Sequence, residues 1–208
     1  MQFARRTFIM APVAGLFPFR ALRPAPAAAA RVAAVPYDVV TADEALALAA
    51  GEPLSFLHVS RAEIDLAPDT DPHADLVYET AARRFERLKA DAPFVRDEAP
   101  AIYLYGLQMA GHRQLGVAGC YALDEYDRGI VKKHERTRRD KEDDRTHHIC
   151  ALRAQTGKIF LTYKASAKVD AIAARMVPTV PPMAPHALKL AAGRTPPRPV
   201  KRAGTDAI

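Results

Sequence analysis

The segment DLVYETAARRFERLKAD, residues 75–91, constrains the fold more than any other. Its Leu76, Val77, Ala81, Phe85 and Leu88 fall near helical spacing with arginine and glutamate between them, which predicts an amphipathic helix with one apolar stripe. Such a stripe must be buried against a second layer. LSFLHVS, residues 54–60, is short and apolar, the pattern of a buried strand. AIYLYGLQM and LGVAGCYAL, separated by AGHRQ, are β-rich runs about a Gly-His turn and predict a hairpin. The helix is therefore expected to lie on a sheet.

Other signals fill in the same picture. Residues 15–40 alternate proline, arginine and alanine and end in VPYDVV, where Pro36 biases Val35 toward extended backbone. In TADEALALAAG, Thr41 and Glu44 form an S/T-x-x-E capping box and Gly51 supplies the stop, so a short helix is expected between them. GIVKKHE and KIFLTYKA are further strand candidates. Strands interleaved with helices, one hairpin included, predict an α+β (mixed α/β) fold over residues 15–165, after a short extension at 1–14. Residues 177–208 hold seven prolines without periodicity, and the whole of 166–208 is expected to be an irregular tail outside the fold.

The chain has 208 residues, 49% hydrophobic and 26% charged, ample for one domain with a real core. Its net charge of +6 would ordinarily suggest nucleic acid or an anionic surface. Beyond Met176, however, five cations (Lys189, Arg194, Arg198, Lys201 and Arg202) face the single acid Asp206, leaving a surplus of four in the tail and a nearly neutral body. With no helix-turn-helix or basic stripe, DNA ranks last among partners. Cys120 and Cys150 lack CxxC spacing, so reduced, buried thiols are expected. No apolar run reaches the length of a membrane span. ARRTFIMAPVAGLFPF has the outline of a twin-arginine export signal, but Pro12 and Pro18 interrupt it, Arg20 and Arg23 follow at once, and Met10 is an alternative start. The expected location is the cytoplasm.

KKHERTRRDKEDDRTHH, residues 132–148, concentrates the polar chemistry. On a helix ending at Gly157, Ile149 and Leu152 define the inward direction. At about 100 degrees per residue, Arg145 and Glu142 fall near that direction, Lys141 and His148 at its edge, and Asp140, Asp143 and His147 away from it. Inward charges need partners, and Glu142 with Arg145 at i, i+3 would form one pair. Two interpretations fit: a salt-bridged, solvated helix end, or a polar site offering Lys141 and Arg145 to an anion. His134 and Glu135 just upstream form a possible acid or base pair. Adjacent His147 and His148 would diverge on a helix, so no metal site is expected. His58 is expected as a satisfied core histidine. Glu63 and Asp65 either orient basic residues or cap a loop.

GLFPFRALRP, VPYDVV, PLSFLHVSRAEIDLAPDTDP, KKHERTRRDKEDDRTHH and ALRAQTGKIFLTY, in this order, resemble the N-terminal half of the bacterial and archaeal family of domain of unknown function (DUF) 1015, over about residues 15–165. Members of that family continue beyond this chain and carry an Asp-Gly-His-His-Arg motif. A similar motif occurs in the free-serine kinase related to ParB-type nucleotide-binding proteins. The resemblance thus implies nucleotide-dependent phosphotransfer, or nucleotide binding, on a small molecule, with ATP or ADP and Mg in the intact family protein. THH at 146–148 is no substitute for the motif, because the Asp-Gly turn is missing. The proline-rich, acid-poor switch near 168–176 is read as a shifted or truncated frame, and the chain by itself is expected to lack phosphotransferase activity.

At the matching positions the resemblance favours a site. Lys133, Arg136, Lys141 and Arg145 are the expected anion contacts, Glu142 the partner of Arg145, and His134 or Glu135 the acid or base. Tyr37 and Asp38 either enter the same cleft or form a turn with an aspartate cap. The alternative function is a non-enzymatic regulatory module that binds a ligand or a protein.

Overall fold

The computed structural model describes residues 14–109, 111–133 and 137–176. An extended run pairs Phe17 with Cys120 and Phe19 with Ala101, then continues as β1 (Leu22–Pro24). α1 (Pro26–Val32) follows with proline in its first turn, and a 3-10 turn covers Tyr37–Val39. α2 (Ala42–Ala49) begins at the expected capping box: the Thr41 hydroxyl accepts from the Glu44 N–H at 3.3 Å, and the Thr41 N–H donates to Glu44 Oε2 at 2.8 Å. Gly51, at φ +79°, turns the chain after it. Next come α3 (Leu57–Ser60), a 3-10 turn over Ala62–Asp65, and the long α4 (Asp75–Asp91). β2 (Phe94–Arg96) returns antiparallel to β1, with Leu22 opposite Arg96. β3 (Tyr103–Met109) and β4 (His112–Ala118) form the predicted hairpin, Met109 opposite His112 around a two-residue turn with Gly111 at φ +80°. α5 (Leu123–Asp127), α6 (Arg139–Leu152) and α7 (Ala167–Met176) complete the α+β architecture.

The core is helical on both sides. Val77, Ala81, Phe85 and Leu88 of α4 are buried against Val32, Leu54, Val59, Ala62 and Leu152. A smaller cluster joins Ala45 and Ala49 of α2 to Leu57. A separate polar clasp secures the sheets. Tyr103 Oη receives the Ala21 N–H at 3.0 Å and lies 2.5 Å from Asp97 Oδ2, while Arg23 Nε donates to the same carboxylate at 3.1 Å. The Arg23 hydrogen bond, then that of Tyr103, holds the Asp97 carboxyl below its usual range.

Several expectations require correction. Residues 54–60 are not a strand: the backbone closes locally, with Val59 and Ser60 N–H on the Phe56 carbonyl, and Arg61 N–H on that of Leu57. A short apolar run does not reveal its own state, and here a helical turn satisfies the backbone without a neighbouring strand. α4 consequently lies on α3 and α6 rather than on a sheet, and Leu76, 47% exposed, is not part of its stripe. Residues 129–131 form a turn held by the Glu125 carbonyl, which accepts from Ile130 and Val131 N–H, instead of starting a strand. KIFLTYKA, residues 158–165, has no regular secondary structure and pairs with no strand among the described residues, with Phe160 67% exposed. α6 stops at Arg153, which takes the left-handed conformation at φ +50°, short of Gly157. α7 occupies ground expected to be irregular. Cys120 and Cys150 are free but exposed, not buried.

The stripe on α4 makes a direct test. Phe85→Ala should cost about 3–5 kcal/mol in chemical denaturation, whereas Leu76→Ala should stay within about 0.5 kcal/mol of the parent. Equal losses would show that the buried face is misplaced.

Candidate functional site

α6 presents Lys141, Asp144, Arg145, His148 and Leu152 at i, i+3, i+4, i+7 and i+11, one continuous row along the helix. Leu152 at the C-terminal end belongs to the main core, which anchors the row. Its polar part lines a cleft of about 170 Å³. The opposite wall is Tyr37 from the first 3-10 turn and Arg61 to Glu63 after α3, with Tyr78 of α4 and His73 closing the end.

Asp144 organises this space. Its side chain is 12% exposed; Oδ2 accepts from Arg145 Nε at 2.9 Å and Nη2 at 2.7 Å, and Oδ1 accepts from the Tyr78 hydroxyl at 3.0 Å. His73 Nδ1 lies 3.5 Å from the same Oδ1. Burial alone would raise the Asp144 pKa, but the Arg145 hydrogen bonds and charge, with Tyr78, outweigh it and hold the carboxyl below its usual value. The Tyr78 hydroxyl is pushed up to about 12, by burial first and then by the carboxylate it donates to. The Arg145 guanidinium sits 4.1 Å from the centre of the Tyr37 ring. It is thereby held from two sides.

Arg61 is held in a similar way. Glu63 Oε1 lies 2.8 Å from its Nε, and its Nη1 donates to the Tyr37 carbonyl at a long 3.4 Å. The Glu63 oxygen is off the N–H direction, so the contact is an ion pair and the buried Nε makes no hydrogen bond. Lys141 makes no ion pair among the described residues. Three cations thus face two carboxylates, and the carboxylates already hold the two arginines. His148, 4% exposed, has its Nε2 3.0 Å from the Val59 carbonyl. A carbonyl only accepts, so Nε2 carries the proton. Burial, the largest cause, and Arg145 lower the His148 pKa.

The structure brings some of the residues named from the sequence together and separates others. Tyr37, Lys141 and Arg145 meet at the cleft. Glu142 does not: it is exposed, and the partner of Arg145 is Asp144. The inward axis runs through His148 and Leu152 rather than between Ile149 and Leu152, which rotates Glu142 to the outside. Asp38 is exposed beyond the cleft wall. Lys133 is exposed too, its ammonium 4.3 Å from the centre of the Tyr126 ring. His134, Glu135 and Arg136 lie outside the described residues. Of the cleft residues not foreseen as ligands, Arg61 and Glu63 share the SRAE run, and Asp144 precedes Arg145 directly. The alternatives left open for Glu63 and Asp65 resolve toward orienting bases: Asp65 accepts from His58 Nδ1 at 2.9 Å and pairs with Arg84 at 2.8 Å. His58 is bonded as expected, but it is half-buried on α3 and not a core histidine.

Two outcomes follow from this geometry. Asp144→Ala leaves Arg145 and Tyr78 without their acceptor and should cost about 1–3 kcal/mol, against about 0.5 kcal/mol or less for exposed Asp143→Ala, both read by denaturant melts. For His148 the folded-state pKa is the lower one, so acidification protonates the unfolded chain first. Its contribution is complete above about pH 6.5 and is lost as pH falls through the depressed value. The parent should therefore lose more stability between pH 7.5 and 5.5 than His148→Gln; identical losses would count against a buried neutral imidazole.

Searches of the curated proteins and of the solved structures returned no match. A family model described as a protein of unknown function (DUF1015) matches residues 16–187. The match includes every cleft residue and runs past residue 165, where the resemblance was expected to end. Among the described residues, no helix is long and apolar enough to cross a membrane. The chain belongs to the DUF1015 family.

Proposed function

We propose that the cleft binds the anionic group, phosphate or carboxylate, of a small molecule. The observation that carries this is the convergence of Arg61, Arg145 and, at the exposed edge, Lys141 on one cleft, with one positive charge to spare among the described lining residues. Two of the three are pre-oriented by carboxylates, so little side-chain freedom is lost when an anion arrives, and arginine forks suit planar or tetrahedral oxyanions. Size limits the ligand. At about 170 Å³ the cleft falls below the roughly 300–1,000 Å³ typical of whole drug-sized ligands. A phosphate or a small acid fits; of a nucleotide, only the terminal phosphate would enter.

Within the family, such a cleft would serve nucleotide-dependent phosphoryl transfer, or nucleotide binding, on a small molecule, where positioning and charge neutralisation matter most. His134, Glu135 and Arg136 remain proposals for the acid, base and further anion contact. The two cleft carboxylates do not suit Mg, because both already hold arginines. That engagement is also what favours the second reading, a binding module without turnover.

Titration of the full chain with inorganic phosphate, ADP and ATP, followed by calorimetry, tests the proposal. Arg145→Ala should weaken binding about tenfold or more, and Lys141→Ala several-fold, with the fold verified by circular dichroism. Binding unaffected by both substitutions would place the anion elsewhere and overturn the reading. Phosphoryl transfer from ATP to a small hydroxyl acceptor would favour the enzyme; saturable binding without transfer would favour the module.

A further inference from the structure

His148 gives the cleft a property that its cations do not. The Nε2 proton is committed to the Val59 carbonyl, so in the neutral ring Nδ1 carries a lone pair. Among the described residues no donor meets that lone pair. Among the described residues Arg61 Nε is the buried side-chain nitrogen sealed off without a partner, so Nδ1, though its ring is only 4% exposed, is still reached by solvent. His148 is one of the residues that line the cleft, the open space next to its ring. An uncharged acceptor therefore lines the same cleft as Lys141, Arg61 and Arg145, all of which donate only, and unlike the Asp144 and Glu63 carboxylates it is not engaged by a cation.

We infer that the cleft selects oxyanions that also carry a hydroxyl, with the cations taking the charged oxygens and His148 Nδ1 accepting the hydroxyl proton. This rests on the anion-binding function proposed above and names its ligand class: hydrogen phosphate, whose P–OH is the donor, or a small hydroxy acid, whose neighbouring alcohol is. An oxyanion with no proton to give would set a lone pair against the lone pair of Nδ1 and leave a buried acceptor unpaired. The same geometry would place a substrate hydroxyl against a proton acceptor, the arrangement that makes an alcohol a better nucleophile.

Matched pairs of probes separate this from simple charge attraction. Near pH 8, hydrogen phosphate and sulfate have the same charge and shape and differ by one proton; glycolate and acetate likewise differ by one hydroxyl. Calorimetric titration of the full chain should show about tenfold or more preference for the hydroxyl-bearing member of at least one pair. The phosphate pair would identify the oxyanion's own proton as the donor, the glycolate pair a neighbouring alcohol. His148→Phe should abolish the preference while the non-donor anion binds as before. His148→Gln, which retains one donor for Val59 and one acceptor for the cleft, should restore it, so a folding defect in the phenylalanine variant does not decide the matter. Equal affinity within both pairs, or a preference that survives His148→Phe in a folded protein, would overturn the role of His148 and leave the anion site standing. Failure of all four probes to bind would overturn the anion site as well.

Discussion

Asp144 is the carboxylate on which this architecture turns. It lies where α6 meets α4, takes the Tyr78 hydroxyl from one helix and the Arg145 fork from the other, and has His73 of the preceding loop beside it. A charge withdrawn from water at a helix junction is costly unless it is fully bonded. Here three donors or cations surround two oxygens. Without Asp144, Arg145 would be a half-buried cation with Lys141 beside it on α6 and Arg61 on the opposite wall. With it, the cleft stays open and its cations stay aimed.

The apolar core and the polar site are continuous parts of one helix face. Leu152 anchors the end of α6 in the cluster built around Phe85 and Leu88, and one turn earlier His148 uses a bond to Val59 to cross from apolar to polar surroundings. Beyond it the row becomes Arg145, Asp144 and Lys141. Rigid positioning of a site by the element that also closes the core is an economical way to fix geometry. It makes the cleft sensitive to substitutions that shift α6 by even part of a turn. The sheets contribute differently: the Arg23, Asp97 and Tyr103 clasp holds the hairpin region together through polar contacts remote from the cleft.

Both arginines of the cleft are presented by carboxylates and both contact Tyr37, one through its ring and one through its carbonyl. The VPYDVV run thus acts as a wall of the site, whereas the aspartate after the tyrosine turns outward. The charged stretch of α6 accordingly has two faces. Asp140, Asp143 and Glu142 form a solvated helix surface, and Lys141, Asp144 and Arg145 line the cleft.

The sequence by itself determined the features that depend on local chemistry. The Thr41 and Glu44 box starts α2 because both bonds close within one turn, the stripe of Val77, Ala81, Phe85 and Leu88 appears because its spacing is intrinsic to a helix, and the hairpin forms because a glycine at positive φ permits its turn. That Tyr37, Lys141 and Arg145 share one cleft was legible through the charged helix and the family motifs. Tertiary structure alone decided the rest. Residues 54–60 closed into turns and the helix at 57–60 because no strand lay beside them to take up their backbone groups, and KIFLTYKA formed no strand although its composition suits one. The inward axis of α6 depended on which apolar residue reached the core, Leu152 rather than the midpoint with Ile149. A small rotation of a helix carrying charges on every face exchanges one partner for the next, which is why Arg145 bonds Asp144 and not Glu142.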